Sequence, residues 1–422
     1  MAGKARHMVL GGALLSALTI VGSACSSSGS TPKSSSDSTP TTTANVALLG
    51  PAKAATGAPL KIGYIYAGQT QSLDTRPELA IAQATVKYIN EHLGGVAGRP
   101  LELLPCTDNF SPANATDCAN QMIAAKVPVV LSAQPSEPAA VMKVLEPAKI
   151  PFFIWSGVDQ SVFLSPDGYA LGNPLILLAA PIKLAKQDGT KKVAMVYIDL
   201  PAAGALTSIG GPLYTKAGLS LLATAVPPGT PDMTPQIQAA LSRGAQKFLV
   251  VGDTGFCISA LKALKTLAFT GQTVINSACF SPDVAKAVPG GVDGLKVATI
   301  DALDPKDREV ALYEAVAAKY APGTPPHAGG NSGGYAVVLG FARAMTALRA
   351  SNVTPSGIAA ALKSMAPQPM PLLSGQTFTC DRKLAPLTPA VCSNGAALVT
   401  LGASGNVKQI EGFDAAPYLK LG

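Results

Sequence analysis

Cysteines and hydroxyl-bearing loops are the residues of this chain whose types and spacing could do chemistry. Seven cysteines are present. Cys25 stands alone near the start, while Cys106, Cys118, Cys257, Cys279, Cys380 and Cys392 form an even set. In an exported protein an even set points to three disulfides. Six cysteines allow fifteen pairings, and sequence proximity favours Cys106 with Cys118, Cys257 with Cys279 and Cys380 with Cys392, each loop worth about 3 kcal/mol of chain entropy. A metal is the rival use of cysteine. No C-x-x-C occurs, and the only histidines are His7, His92 and His327, so no zinc site is expected. Gly330-Asn331-Ser332-Gly333-Gly334 fits G-x-S-x-G, the turn that carries a hydrolase serine. That turn needs a strand directly before it. Here A-P-G-T-P-P-H-A-G precedes it, so a glycine-rich helix entry is the better reading, and His327 has no evident orienting acid. Phosphate-binding, dinucleotide-binding and H-E-x-x-H motifs are missing, so no cofactor is expected.

The compartment follows from the first residues. Lys4 and Arg6 precede an apolar run from Met8 to Val21, then Gly22-Ser23-Ala24 and Cys25. This order is expected of an export signal over 1–24, and small residues directly before a cysteine resemble a bacterial lipobox that would place lipid on Cys25. Acyl chains there would hold the protein on the outer face of the cell membrane. Residues 25–58 run on from Cys25 as S-S-S-G-S-T-P-K-S-S-S-D-S-T-P and bury too little apolar area to fold, so a flexible tether is expected. Loss of Lys4 and Arg6 lowers the formal charge from +7 to +5, spread without basic blocks, which gives nucleic-acid binding no support.

The elements that position these groups alternate. Leu60 to Ala67 reads as a buried strand, a helix begins near Pro77, and strands are expected at Leu101 to Leu104, Val127 to Leu131 and Phe152 to Trp155, with helices between. A second series follows: strands near Val193 to Ile198, Leu219 to Val226, Phe248 to Val251, Val274 to Asn276 and Leu295 to Ile300. A helix from Pro305 to Tyr320, capped by Asp304, comes next, then Gly334 to Arg349, Thr354 to Met365, and a hairpin-like pair near the end. Regular strand–helix alternation means α/β architecture with parallel sheets, and 422 residues suffice for two lobes.

The run from Tyr88 to Asn109 contains I-N-x-x-x-G-G-V-x-G-R-x-L-E-L with an Asp shortly after the strand. This phrase resembles the first lobe of type I periplasmic solute-binding proteins, nearest to the group that binds branched-chain amino acids. The resemblance runs from about Pro59 to the end. It implies two Rossmann-like lobes joined by three hinge crossovers, with 59–176 plus 302–366 as the first lobe and 177–301 plus 367–422 as the second. It also implies a monomer that captures a small polar molecule, an amino acid or related compound, and delivers it to an ABC permease. Such a protein is not an enzyme. A ligand-sensing receptor of the same fold, and a serine hydrolase, are the alternatives.

Ligands of open α/β sheets sit beyond the carboxyl ends of the strands. The loops expected there hold Gln69; Ser132, Gln134 and Ser136; Trp155, Ser156 and Gly157; Asp199; Asp253 and Thr254; and Phe280. By the resemblance, the loops after the third and fourth strands hold a ligand carboxylate, and Tyr335 matches a frequent tyrosine. The departures are in the second lobe, where Ala203 stands in place of a covering tyrosine. Ala278 or Cys279 stands where the family has the glutamate that pairs with an ammonium. A buried ammonium without a carboxylate is costly, so Asp253 or Asp199 would have to replace it.

Overall fold

In the computed structural model of the chain, residues 47–69, 74–157, 159–302, 304, 306–326, 330–385 and 388–420 are described. Cys25 and the expected signal and lipobox lie outside them, as do Thr70, Gln71, Pro305 and His327. Strands β1 Leu60–Tyr66, β2 Leu101–Thr107, β3 Val130–Ser132, β4 Phe152–Ile154 and β5 Gly168–Ala170 form a parallel sheet in the order β2-β1-β3-β4-β5. A second sheet is built from β6 Lys192–Ile198, β7 Ser220–Val226, β8 Lys247–Val251, β9 Thr273–Asn276 and β10 Lys296–Thr299, with β13 Gly395–Leu401 and β14 Val407–Asp414 added antiparallel at one edge. Its order is β14-β13-β10-β9-β8-β6-β7, and between them β11 Gln368–Pro369 and β12 Thr377–Phe378 make a small separate ladder. This is the α/β, two-sheet architecture of the type I periplasmic binding fold.

Both faces of the first sheet are covered. Leu131, Ala133, Phe153 and Trp155 pack toward the helices Arg76–Tyr88, Arg308–Tyr320 and Ser332–Ala344. Val130, Phe152, Ile154 and Ala170 pack toward Pro112–Ala124, Pro138–Leu145 and Gln160–Leu164. Side chains alternate along a strand, so neighbours in sequence serve opposite layers. Gly334 lets two helices touch: a Cβ there would lie 2.4 Å from the Glu78 carbonyl oxygen.

The chain passes between the sheets three times, after β5, between β10 and the helix Arg308–Tyr320, and just before β13. Asn173 Nδ2 donates to Asn394 Oδ1 at 2.8 Å inside this hinge, Asn173 Oδ1 accepts from the Leu175 N–H, and a Cβ on Gly172 would meet Ile300 Cδ1 at 2.6 Å. These contacts hold the crossovers side by side.

Several expectations change. Residues 47–58 were expected to be tether, but Leu49 is buried and the N–H groups of Lys53, Ala55 and Gly57 donate to Glu91, Asn90 and Gly98 carbonyls. Backbone pairing replaces disorder there. The tail beyond 366 was expected in the second lobe, yet Ala390 and Cys392 bond to Ala170, and Arg382 donates to the Ser165 and Gly168 carbonyls, so this stretch borders β5 before the chain enters β13. The helix expected from Pro305 starts at Arg308 because Asp307 caps it, accepting from the Glu309 and Val310 N–H groups. The helix after β8 starts at Thr254 for the same reason, with Asp253 as its cap. β5 was not anticipated; three residues are too few for a periodic signal.

Candidate functional site

Strand order reverses at β1/β3 in the first sheet and at β6/β8 in the second. Crevices open at such switch points, beyond the carboxyl ends of the strands. Gln69 and the 132–136 loop flank the first, and Asp199 and Asp253 flank the second.

At the first switch point β3 ends on Ser132, which is wholly buried. Trp155, just past β4, donates its N–H to the Ser132 carbonyl at 3.1 Å, and Ser156 donates to Ala133 at 3.1 Å. The Trp155 indole is 5% exposed and fills the space beneath Gly333, where a Cβ would lie 2.5 Å from Trp155 Cε3 and 2.9 Å from Ala133 Cβ. Ser132 Oγ and Trp155 Nε1 are both buried without a hydrogen-bond partner among the described residues. Leaving such a group unpaired costs roughly 1–3 kcal/mol. They serve opposite faces of the sheet, so they are two separate polar positions at one strand edge. Ser156 and Gly157 are half-buried beside them, while Gln69 and Gln134 are exposed and Gln69 bridges to Asp74 across the loop.

An acidic group that the sequence pattern placed just after β2, but not among the solute contacts, stands beside this edge. Asp108 follows β2, and its Oδ1 accepts from Ser136 Oγ at 2.6 Å and from the Phe110 N–H at 3.0 Å. Its Oδ2 is buried without a partner, and burial raises its pKa against the lowering effect of Ser136. Ser136 is therefore committed to Asp108. Glu78, in the first turn of Arg76–Tyr88, accepts from the Tyr64 hydroxyl at 2.6 Å. Burial pushes its carboxyl up to about 7, against the Tyr64 hydrogen bond, with a further rise from Asp108. The signal was available for Glu78, because it shares the helical face of Ile81, Ala82 and Thr85, all buried.

The wall of the second sheet is more open. Asp199 is exposed, its N–H given to Val226. Asp253 is exposed and caps its helix, Oδ1 accepting from the Phe256 N–H at 2.8 Å. Thr254 Oγ1 donates to the Ala278 carbonyl at 3.2 Å, and Phe280 is half-buried against the core. Asn276, which the sequence did not single out, binds both the N–H and the carbonyl of Gly252 at 3.1 Å. With the Cys257–Cys279 disulfide it ties the loops after β8 and β9 together. Disulfides also join Cys106 to Cys118 and Cys380 to Cys392.

Tyr335 lies elsewhere. It is wholly buried in the helix layer, its ring 4.9 Å from that of Tyr313, and burial raises its phenol far above the usual range. Its hydroxyl, like Ser132 Oγ and Trp155 Nε1, is buried without a hydrogen-bond partner among the described residues. Ser332 opens a helix directly after a turn at residues 330–331 and donates to Asp301 at 3.4 Å, while His327 lies outside the described residues. Among the described residues no cluster of metal-ligating side chains occurs, and no helix is long and apolar enough to cross a membrane.

Comparison with known proteins agrees with this architecture. The profile of the periplasmic binding protein family matches residues 59–388. Similar solved structures include an ABC transporter substrate-binding protein from Sphaerobacter thermophilus, 18% identical, with TM-score 0.68 over 85% of this chain and 98% of that one. Another is the solute-binding protein of an ABC transporter from R. palustris in complex with 4-hydroxybenzoate, 20% identical, TM-score 0.67, covering 84% and 97%. A branched-chain amino acid transporter substrate-binding protein from Streptococcus pneumoniae in complex with isoleucine is 15% identical, TM-score 0.63, covering 84% and 99%. No curated protein sequence matches. With the profile covering most of the chain and the two-sheet fold shared, the chain belongs to the periplasmic binding protein family, in its type I form.

Proposed function

We propose that this is an extracytoplasmic lipoprotein that captures a small polar molecule, an amino acid or related compound, between two lobes and delivers it to an ABC permease. The observation that carries the reading is the placement of buried, unpartnered Ser132 Oγ and Trp155 Nε1 at the carboxyl edge of the first sheet, next to a three-strand hinge. Ligand would favour the closed form by its differential affinity, as a hinged pair of lobes allows. On this reading 1–24 is removed, Cys25 carries lipid, and the monomeric body hangs from the outer face of the membrane. The relatives bind solutes as different as isoleucine and 4-hydroxybenzoate, so fold alone leaves the chemistry of the solute open.

Trp155 is the sole tryptophan, which makes the site its own reporter. Titration with amino acids, amides, short organic acids and aromatic acids should change its emission for one class and raise the melting temperature with it. A solute at a hundred to a thousand times its Kd adds about 3–4 kcal/mol of stability. If a solute stabilises the protein while Trp155 emission stays constant, the site lies elsewhere. Mass spectrometry of the membrane-bound form tests the anchor, and an unmodified Cys25 there would end that part of the proposal.

A further inference from the structure

A cavity of about 500 Å³ lies on the first lobe away from the strand carboxyl ends, where the helix that ends at Leu93 meets the C-terminal end of Ser332–Ala344. Lys53, Tyr88, Leu93, Gly94, Gly98 and Arg343 line it, and no carboxylate does. The Lys53 stem lies on Gly94, and its ammonium has no acidic partner among the described residues. Tyr88 is 5% exposed, yet its hydroxyl makes no hydrogen bond; burial raises its pKa, so it remains a donor at neutral pH. Arg343 is held by Glu309 through bonds of 2.9 and 3.0 Å, which fixes its guanidinium in the wall. Ala97 and Gly98, at φ 52° and 75°, turn the lining back on itself, and their N–H groups donate to no protein acceptor. Among the lining side chains Lys53, Arg343 and Tyr88 are donors, and Thr346 can donate or accept.

The surroundings say what such a cavity meets. The described body begins at Ala47, and His92 Nδ1 donates to the Gly50 carbonyl oxygen at 3.1 Å, one residue from Leu93. The stretch that precedes the body therefore enters it beside this cavity. Leu48 and Leu93 are 38% and 39% exposed, two of the six large apolar side chains that stand out from the body. An unpaired lysine and free donors, flanked by two exposed leucines at the point where a lipid tether would arrive, make up the complement of an anionic membrane surface.

We propose that this corner is a membrane-resting surface, in which the cavity takes the phosphate of an anionic phospholipid headgroup and Leu48 and Leu93 dip into the interface. It would hold the body in one orientation on its membrane. The orientation rests on the lipid-anchor reading above, whereas the phosphate contact can be read without it.

The test uses the full exported protein, reconstituted into vesicles of phosphatidylglycerol or of phosphatidylcholine, with hydrogen exchange followed over residues 88–99. Slowing of exchange on phosphatidylglycerol alone is expected. Lys53→Glu should abolish it and weaken partition of unlipidated protein onto preformed phosphatidylglycerol vesicles by roughly twenty- to thirtyfold, two charge steps of about fivefold each. Leu93→Ser should weaken it less, and both variants should melt with the parent, since both side chains are exposed. Equal exchange on the two vesicles, or indifference to Lys53→Glu, overturns the proposal. Full protection by inorganic phosphate alone also overturns it, in favour of a site for soluble phosphate esters. Failure of the anchor looks different: protein would leave phosphatidylcholine vesicles while still recognising phosphatidylglycerol.

Discussion

Glu78→Gln should make the protein more stable at alkaline pH and leave it unchanged in acid. The carboxyl is raised from 4.5 to about 7, chiefly by burial. An acid with a raised folded pKa binds its proton more tightly in the folded state, so the unfolded chain holds fewer protons between the two values and stability falls as pH rises through them. Below about pH 4.5 both states are protonated and the group contributes nothing. Above about pH 7 the full cost applies, on the order of 3 kcal/mol at 1.36 kcal/mol per pH unit. Gln keeps an oxygen for the Tyr64 hydroxyl and removes the charge. Thermal melts of parent and variant at pH 5, 6, 7 and 8, followed by Trp155 emission, should therefore diverge with pH, reaching roughly 6–12 °C at pH 8 for a lobe-sized unit. Asp108 contributes a slope of the same sign in both proteins, and the difference between the curves reports Glu78 together with its repulsion from Asp108. Parallel curves across this range, or a Gln variant destabilised equally at every pH, would refute the account and show that the ionised carboxylate is well solvated.

Ser132→Ala removes a buried hydroxyl that has no protein partner, so stability should hold or rise by about 1 kcal/mol while solute affinity drops; a clear loss of stability would mean the hydroxyl is bonded in the fold. Gly333→Ala forces a methyl into the Trp155 ring and should cost about 1–3 kcal/mol with a shifted emission maximum, checked by melting and fluorescence together. Asn394→Ala strands the Asn173 amide in the hinge and should cost about 1–3 kcal/mol, with faster proteolysis near residues 380–392 as the accompanying sign.

Local pattern determined most of the elements. Helical spacing of Ala82, Val86, Ile89 and Leu93, the stop at Gly94-Gly95, and apolar runs such as Phe248 to Val251 carry their own instructions, because periodicity and backbone freedom are properties of short segments. Strand ends followed directly, and with them the loops at both switch points. Nearest-neighbour cysteine pairing was legible too, since short loops close at the lowest entropic cost. What depended on the third dimension was decided elsewhere. The 47–58 stretch is polar and small by composition, yet carbonyls of residues 90, 91 and 98 capture it. Residues 382–392 looked like the second lobe's property until β5, itself three residues long, offered an edge. Asp253 and Ser136 were chosen as solute contacts by position, and the fold in addition gives one a helix to cap and the other a bond to Asp108. Sequence placed polar atoms at the carboxyl edge of the sheet; packing decided which of them remain unpaired, because only tertiary contacts consume or spare a hydrogen bond.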